Sequence, residues 1–280
     1  MNDKPSVPDD RSVSRAENRC EKSDTGSFFD GYVADWDNFY KTQADSGRAF
    51  DYRNRQRILV EILTRRLGPG SRLLEFGCGA GHTAVQLSQL GYDLTCLDIS
   101  PGMAEATRRS YAQANLKAEI GVGTVHDLRE PSQRFDAVFA LGVMEYVPDH
   151  AATLRRVHEL LKPGGICVLS FTNADSPCFR VEAPLKYVTA RALHLFTRDP
   201  RYLNIAYTKG RLHRSPDVSA LYEQSGFQVE DVQFFSYGIR LSSCWLPPLF
   251  IVRRLDSRLK DSRLKSWGRG FMTVGYKPQP

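Results

Sequence analysis

The chain reads as one α/β domain built on a seven-stranded, mostly parallel sheet flanked by helices, and three observations predict it. From Leu73 onward, short apolar runs alternate with amphipathic stretches, the pattern of repeated strand–helix units around a parallel sheet. The first of those runs, Leu73-Leu74-Glu75-Phe76, passes directly into Gly77-Cys78-Gly79-Ala80-Gly81, a glycine-rich turn that opens a helix. The 280 residues, 41% of them hydrophobic, are enough to bury the core of one such domain with an insertion or two, and short of two ordinary domains.

Residues 1–27 mix Pro, Asp, Arg, Ser and Glu with no apolar core of the kind a secretory signal requires, so a disordered leader is expected ahead of a domain over 28–280. Strands are expected at Arg72 to Phe76, Asp93 to Asp98, Lys117 to Gly121, Phe135 to Ala140, Gly165 to Phe171, Gln228 to Ser236 and Phe271 to Tyr276. Helices fit at Thr83 to Gln89, Pro101 to Gln113, His150 to Leu161 and Pro216 to Ser225. Pro148-Asp149 and Ser215-Pro216 start the last two, and Lys162-Pro163-Gly164 and Gly226 close them.

Two stretches exceed a minimal sheet. Residues 173–214, about forty residues after the fifth strand, are too many for a plain loop; Leu185 to Phe196 reads as helical and the whole as a lid. Residues 237–270, between the last two strands, begin apolar and end basic. From Arg253 to Arg269 seven cations oppose only Asp256 and Asp261, so the net charge of +6 is largely a property of this segment. The longest apolar run, near Trp245 to Val252, is far below the roughly 20 residues of a membrane-spanning helix. The six cysteines lack a C-x-x-C pair, and the histidines lack H-x-x-x-H or H-E-x-x-H spacing. Reduced thiols, a cytoplasmic location and no metal are therefore expected.

The glycine turn carries the strongest chemical signal. Glycines at 77, 79 and 81 admit backbone conformations and a close ligand approach that a Cβ would block. A dinucleotide fingerprint of the G-x-G-x-x-G type would need glycine at 82, where the chain has His82, and has no need of the acid Glu75. That acid is placed to meet a cation. At the end of the next strand Asp98, seventeen positions after Gly81, stands where doubly wound folds put the carboxylate that accepts ribose hydroxyls. Taken alone it would read as a helix cap before Ser100-Pro101.

With these segments in view, the chain resembles the class I, Rossmann-like S-adenosylmethionine-dependent methyltransferases, especially the small-molecule branch of ubiquinone and menaquinone biosynthesis; the likeness covers Leu73 to Asn173. It implies that Glu75, Gly77, Gly79 and Gly81 embrace the methionine part of S-adenosylmethionine and that Asp98 takes the ribose. Gly123 to Leu128 is similar to the adenine-binding segment, but Thr124 replaces its usual acid, which leaves adenine to the Val125 backbone and the Thr124 hydroxyl. Phe135 to Asp149 matches the fourth strand and its loop, so Leu141 and Gly142 line the pocket, and Tyr146 stands where relatives often carry His.

Upstream, Tyr32, Trp36 and Tyr40 share one helical face; the resemblance implies that it folds over the cofactor with a tyrosine near the methyl group, and the alternative is plain core. Transfer of a methyl group from sulfonium needs chiefly alignment, and a base only if the acceptor must lose a proton. His82 and Tyr146 are the catalytic candidates, with Glu145, His150 and His213 behind them. The expected acceptor is a small molecule, with oxygen of a lipid, isoprenoid or polyketide-like compound favoured. The aromatics and cations of the lid would clasp it or simply form a solvated helix pair. The apolar-then-basic segment at about 245–267 has the composition of a membrane-surface element, or of a helix packed on the sheet edge. Two alternatives stay open: a methyltransferase acting on RNA or other nucleic acid, made less attractive by the lack of an added binding module, and a non-catalytic adenosylmethionine-binding subunit.

Overall fold

The computed structural model describes residues 25–30, 33, 47–129, 132–198, 211–240 and 245–279. Its frame is a seven-stranded sheet. β1 (Arg72–Phe76), β2 (Asp93–Asp98), β3 (Glu119–Val122), β4 (Phe135–Ala140) and β5 (Leu161–Thr172) run parallel, and β6 (Gln228–Phe235) is tied to them through an antiparallel last strand. The order is β3-β2-β1-β4-β5-β9-β6, with β9 (Gly270–Tyr276) inserted between β5 and β6. The strand order reverses at β1 and β4, and such a switch point opens a crevice at the carboxyl ends of the strands.

Adjacent residues along each inner strand go to opposite faces, and both faces are buried, as a sheet covered on two sides requires. Leu74, Val138 and Cys167 join the core under α4 (His150–Leu160) and α6 (Ser215–Gln224), with Leu154, Val157 and Tyr222 against them. Leu73, Ala137 and Val168 join the second core under α1 (Gly47–Arg66), which contributes Leu59, Ile62 and Leu63, and under α2 (His82–Gln89). The expected helix Pro101 to Gln113 is α3 (Pro101–Gln113), capped by Ser100, whose Oγ accepts from Met103 N at 3.0 Å.

Several expected boundaries move. β3 starts at Glu119 rather than Lys117, because the end of α3 runs on through Asn115 in the left-handed region and Leu116 N bonds back to Tyr111 O. β5 starts at Leu161, four residues early: Leu161 pairs with Phe135 before an irregularity, and the Gly164 and Gly165 backbones then bond to Lys277. β6 stops at Phe235 because Ser236 takes φ 63°. α1 went unpredicted. The lid helix α5 (Pro177–Thr197) begins eight residues before Leu185 and carries Pro184 inside it. The late insertion holds a short hairpin of β7 (Ile239–Arg240) and β8 (Trp245–Leu246), then α7 (Leu249–Leu259) and a 3-10 turn at Lys265–Trp267.

The insertion after β5 is fastened at its base. Asn173 Nδ2 donates to Ser266 O (2.8 Å) and Gly268 O (2.7 Å), and Ser176 Oγ donates to Trp267 O (2.9 Å). Arg269 makes a buried two-pronged ion pair with Glu182 of α5 and lies 4.4 Å from the Phe179 ring centroid. Cys78, Cys96, Cys167 and Cys178 are free thiols; Cys20 and Cys244 lie outside the described residues, as does nearly all of the expected leader. Thr25 to Asp30, whose first three residues were assigned to that leader, is helical. Among the described residues no helix is long and apolar enough to cross a membrane.

Candidate active site

The glycine turn lies at the carboxyl end of β1, beside the switch point. Gly77, Gly79 and Gly81 all take left-handed φ values of 68°, 56° and 79°. Space demands glycine as much as conformation does: a Cβ on Gly77 would stand 2.2 Å from Val143 Cγ2, and one on Gly81 2.7 Å from Thr107 Cγ2. The turn is held from outside. Thr107 Oγ1 donates to Gly79 O (2.7 Å), Ser110 Oγ to Ala80 O (2.8 Å) and Cys78 N to Leu97 O (3.0 Å).

Two carboxylates flank it. Glu75 is 3% exposed, and its Oε2 has no hydrogen-bond partner among the described residues. Burial first, then the neighbouring Cys96 and Asp98, push its carboxyl well above the usual range. A buried acid kept this way is costly unless a cation or donor reaches it. Asp98, at the end of β2, accepts from Gly79 N through Oδ2 (2.8 Å) and from Ser100 N through Oδ1 (2.9 Å). Burial raises its pKa, and those amide bonds oppose the rise. Asp98 thus holds the Ser100 backbone, while the cap of α3 is the Ser100 hydroxyl and not Asp98. A ligand with an ammonium or sulfonium group matches the orphaned Glu75 oxygen, and one with a nucleoside matches Asp98. The methionine and ribose parts of S-adenosylmethionine fit this pair of acids.

The loop after β3 departs from the expected adenine site. Thr124 Oγ1 donates to Asp127 Oδ2 (2.7 Å) and accepts from His126 N (3.3 Å), so the hydroxyl is already engaged. Val125 is buried and its carbonyl accepts from Arg156 Nε (3.3 Å). The acid absent at 124 reappears three residues later as Asp127, whose Oδ2 also accepts from Thr124 N (2.8 Å).

Beyond β4, half-buried Leu141 packs against the second core, and Gly142 takes φ 69° with its N donating to Ser170 Oγ (2.7 Å). The 3-10 turn Met144–Tyr146 follows. Glu145 Oε1 accepts from Thr172 Oγ1 (2.6 Å), whereas buried Oε2 has no partner among the described residues. Tyr146 meets the Phe29 ring edge-on at 5.2 Å, and burial, aided by Glu145 and Tyr52, pushes its hydroxyl up to about 12. His150 donates from Nε2 to Met144 O (2.7 Å) and is thereby committed to holding this turn. His213 lies 4.9 Å from it, ring to ring, and is pushed down to about 4 by burial and then by His150 and Arg211. His82 opens α2 beside the glycine turn, half-buried.

Sequence reasoning missed α1 and what it delivers. Arg55 Nη1 stands 2.6 Å from where a Cβ on Gly142 would be, its guanidinium lies over Tyr52 at 4.8 Å, and its buried Nε has no partner among the described residues. Asp30, also missed, accepts from Ser100 Oγ and Gly102 N and so seats residues 25–30 on the start of α3. Tyr32, Trp36 and Tyr40 lie outside the described residues.

A methyltransferase-domain family model matches residues 50–232. The ubiquinone biosynthesis O-methyltransferase of Xanthomonas axonopodis pv. citri (strain 306) is 29% identical over 187 residues, covering 64% of this chain and 72% of that protein. Its namesake from Xanthomonas campestris pv. campestris (strain B100) is 31% identical over 156 residues, which span 51% of this chain and 65% of the relative. Among solved structures, the magnesium protoporphyrin IX methyltransferase of Synechocystis PCC 6803 superposes with a TM-score of 0.64 at 16% identity, covering 91% of this chain and 99% of that one. A Thermotoga maritima S-adenosylmethionine-dependent methyltransferase gives 0.60 at 19%, over 90% and 99% of the two chains; both show the fold. The chain belongs to the methyltransferase-domain family. It is a class I enzyme whose cofactor is S-adenosylmethionine.

Proposed function

We propose that the chain methylates an oxygen of a small, largely apolar acceptor, and that Glu145 takes the acceptor's proton. The observation that carries this reading is the unpartnered, buried Oε2 of Glu145 beside Tyr146 at the carboxyl edge, where the switch point opens. S-adenosylmethionine supplies a methyl group already activated on sulfonium. The chain's part is to seat the methionine portion on the glycine turn, with Glu75 toward its cationic side and Arg55 toward its carboxylate, and the ribose on Asp98. Leu141 and Gly142 border the gap between cofactor and acceptor. Adenine falls to the Val125 amide and the Thr124–Asp127 loop.

Tyr146 holds its proton at neutral pH and donates a hydrogen bond to the acceptor oxygen, which keeps that atom in line for attack. The O-methyltransferase names of the two Xanthomonas relatives support oxygen as the atom and a biosynthetic small molecule as the acceptor, and they favour neither a nucleic-acid substrate nor a non-catalytic role. With a panel of phenolic and isoprenoid acceptors, Glu145→Gln is expected to lower kcat by about 10²–10⁴-fold. Its affinity for S-adenosylmethionine should stay unchanged. Undiminished turnover in that variant excludes Glu145 as the base.

The same reading places the enzyme against a membrane surface through residues 245–267. Phe250 is 64% and Trp267 48% exposed amid Arg254, Arg258, Arg263 and Lys265, the mixture of aromatic and cationic groups that suits an anionic interface. Val181, Val188 and Leu195 add exposed apolar side chains at seven-residue intervals on the lid helix. Sedimentation with vesicles rich in anionic lipid is expected to carry down the wild type and not Phe250→Ser; equal sedimentation of both removes the aromatic part of the reading.

A further inference from the structure

The loop after β3 is fixed from two sides by elements distant in sequence. Asp98 and Val122 are register partners at the ends of β2 and β3, and Gly123 N donates to Asp98 O (2.8 Å), so the loop leaves the sheet beside the ribose acid. Its other side lies against α4, where a single side chain holds it at two points. Arg156 Nε donates to Val125 O (3.3 Å) and Nη2 to Leu128 O (2.8 Å). The guanidinium is a rigid planar fork, so it sets the two carbonyls relative to each other as well as to the helix. Nη1 donates to Glu159 Oε2 (2.9 Å), three residues along the same helix.

Val125 is buried, and a buried carbonyl needs a partner. The peptide plane that joins Val125 to His126 is held at both edges, its C=O by Arg156 and its N–H by Thr124 Oγ1 (3.3 Å). The residue whose amide faces the adenine edge in the proposed reading is therefore locked on its carboxyl side. The Arg156 side chain is 22% exposed, so its bonds to the two carbonyls form largely away from bulk water, whereas Glu159 is 59% exposed and its ion pair is screened. A second tie to α4, His126 Nε2 with Thr153 Oγ1, is longer at 3.4 Å and engages a neutral hydroxyl. Arg156 is the stronger of the two.

We propose that Arg156 is a positioning residue for base recognition: by holding Val125 and Leu128 it aims the loop at the adenine edge and gives the enzyme its preference for an adenine over a hypoxanthine cofactor. This rests on the assignment of adenine to the Val125 amide. Adenine N1 accepts a hydrogen bond from such an amide, whereas hypoxanthine carries a hydrogen on N1 and sets two donors against each other. The test titrates the full-length protein with S-adenosylhomocysteine and with S-inosylhomocysteine, which differ only at that edge of the base. The wild type should prefer the adenine form by about tenfold or more. Arg156→Met should bind S-adenosylhomocysteine about tenfold more weakly and keep a preference of no more than about twofold. In turnover its KM for S-adenosylmethionine should rise by a similar factor, with kcat at saturation unchanged. Glu159→Gln removes the ion pair and neither carbonyl bond, and should keep the wild-type preference. A role confined to folding lowers both affinities by one factor and leaves their ratio alone, so a wild-type ratio in Arg156→Met, or an equal loss of preference in Glu159→Gln, overturns the proposal while the adenine assignment stands. Equal binding of the two ligands by the wild type overturns that assignment and the proposal with it. Should Arg156→Met not fold, Arg156→Lys, which keeps the charge and loses the fork, must show a reduced preference; an unreduced one overturns the proposal.

Discussion

Glu75→Gln is expected to give a ligand-free protein that is more stable at neutral and alkaline pH and binds its cofactor about ten- to a hundredfold more weakly. The two effects share one cause. In the folded chain Glu75 is buried beside Asp98, and its pKa is raised well above 4.5. At pH values between its unfolded and folded pKa the native state holds a proton that the unfolded state has released. Stability therefore falls as pH rises through that window. A glutamine carries no such cost, so the variant should lose this slope, and in thermal unfolding the gap between variant and wild type should widen as pH rises from the unfolded carboxyl's range toward its raised folded one. The cofactor's cationic groups offset the same cost in the wild type, so its affinity should rise with pH where that of Glu75→Gln does not. A variant that is less stable at pH 8, or that binds S-adenosylmethionine undiminished, contradicts the role given to this acid.

Arg269→Met is expected to cost about 3–5 kcal/mol of folding stability. Arg269 and Glu182 are 5% and 1% exposed in side-chain area, and the pair joins β9's leading edge to the lid helix. Removing the cation takes from buried Glu182 its Arg269 partner, which is worse than removing both. The double change Arg269→Met with Glu182→Met should recover most of the loss, and urea unfolding of the four proteins gives the coupling directly. A single-variant loss under about 1 kcal/mol would mean that water reaches the pair and that the lid is not anchored there.

What could be read from the chain beforehand follows the range over which its physics acts. The glycine turn and Asp98 were legible because a tight turn, an acid at a strand end and the spacing between them are local properties. The seven main strands were legible as apolar runs. The insertion of β9 between β5 and β6 was not, since alternation along a chain says nothing of strand order. α1 escaped because its second-core positions, Ile58, Leu59, Ile62 and Leu63, crowd into its second half, while its first half sets Tyr52, Arg53 and Arg55 between them and buried Ala49 and Phe50, with no regular apolar stripe. A stretch dense in arginine looks like a solvated face until the partner surfaces are known.

Long-range pairing was equally hidden. Glu182 and Arg269 are 87 positions apart, and neither sits in a pattern that calls for the other. Thr124 illustrates a subtler gap: its hydroxyl and amide are both taken by Asp127, three residues along, a local turn that the sequence did not announce. The surroundings of Tyr146 were not legible, since the burial that pushes its hydroxyl up to about 12 comes from residues distant in sequence.

The central claim is that Glu75, the glycine turn and Asp98 together form an S-adenosylmethionine site. Calorimetric titration of the wild type and of Asp98→Ala, with S-adenosylmethionine and separately with NADH, tests it most directly. The account predicts saturable binding of S-adenosylmethionine to the wild type, loss of that binding in Asp98→Ala, and no binding of NADH. Binding of NADH in place of S-adenosylmethionine, or S-adenosylmethionine binding that survives Asp98→Ala intact, would contradict it.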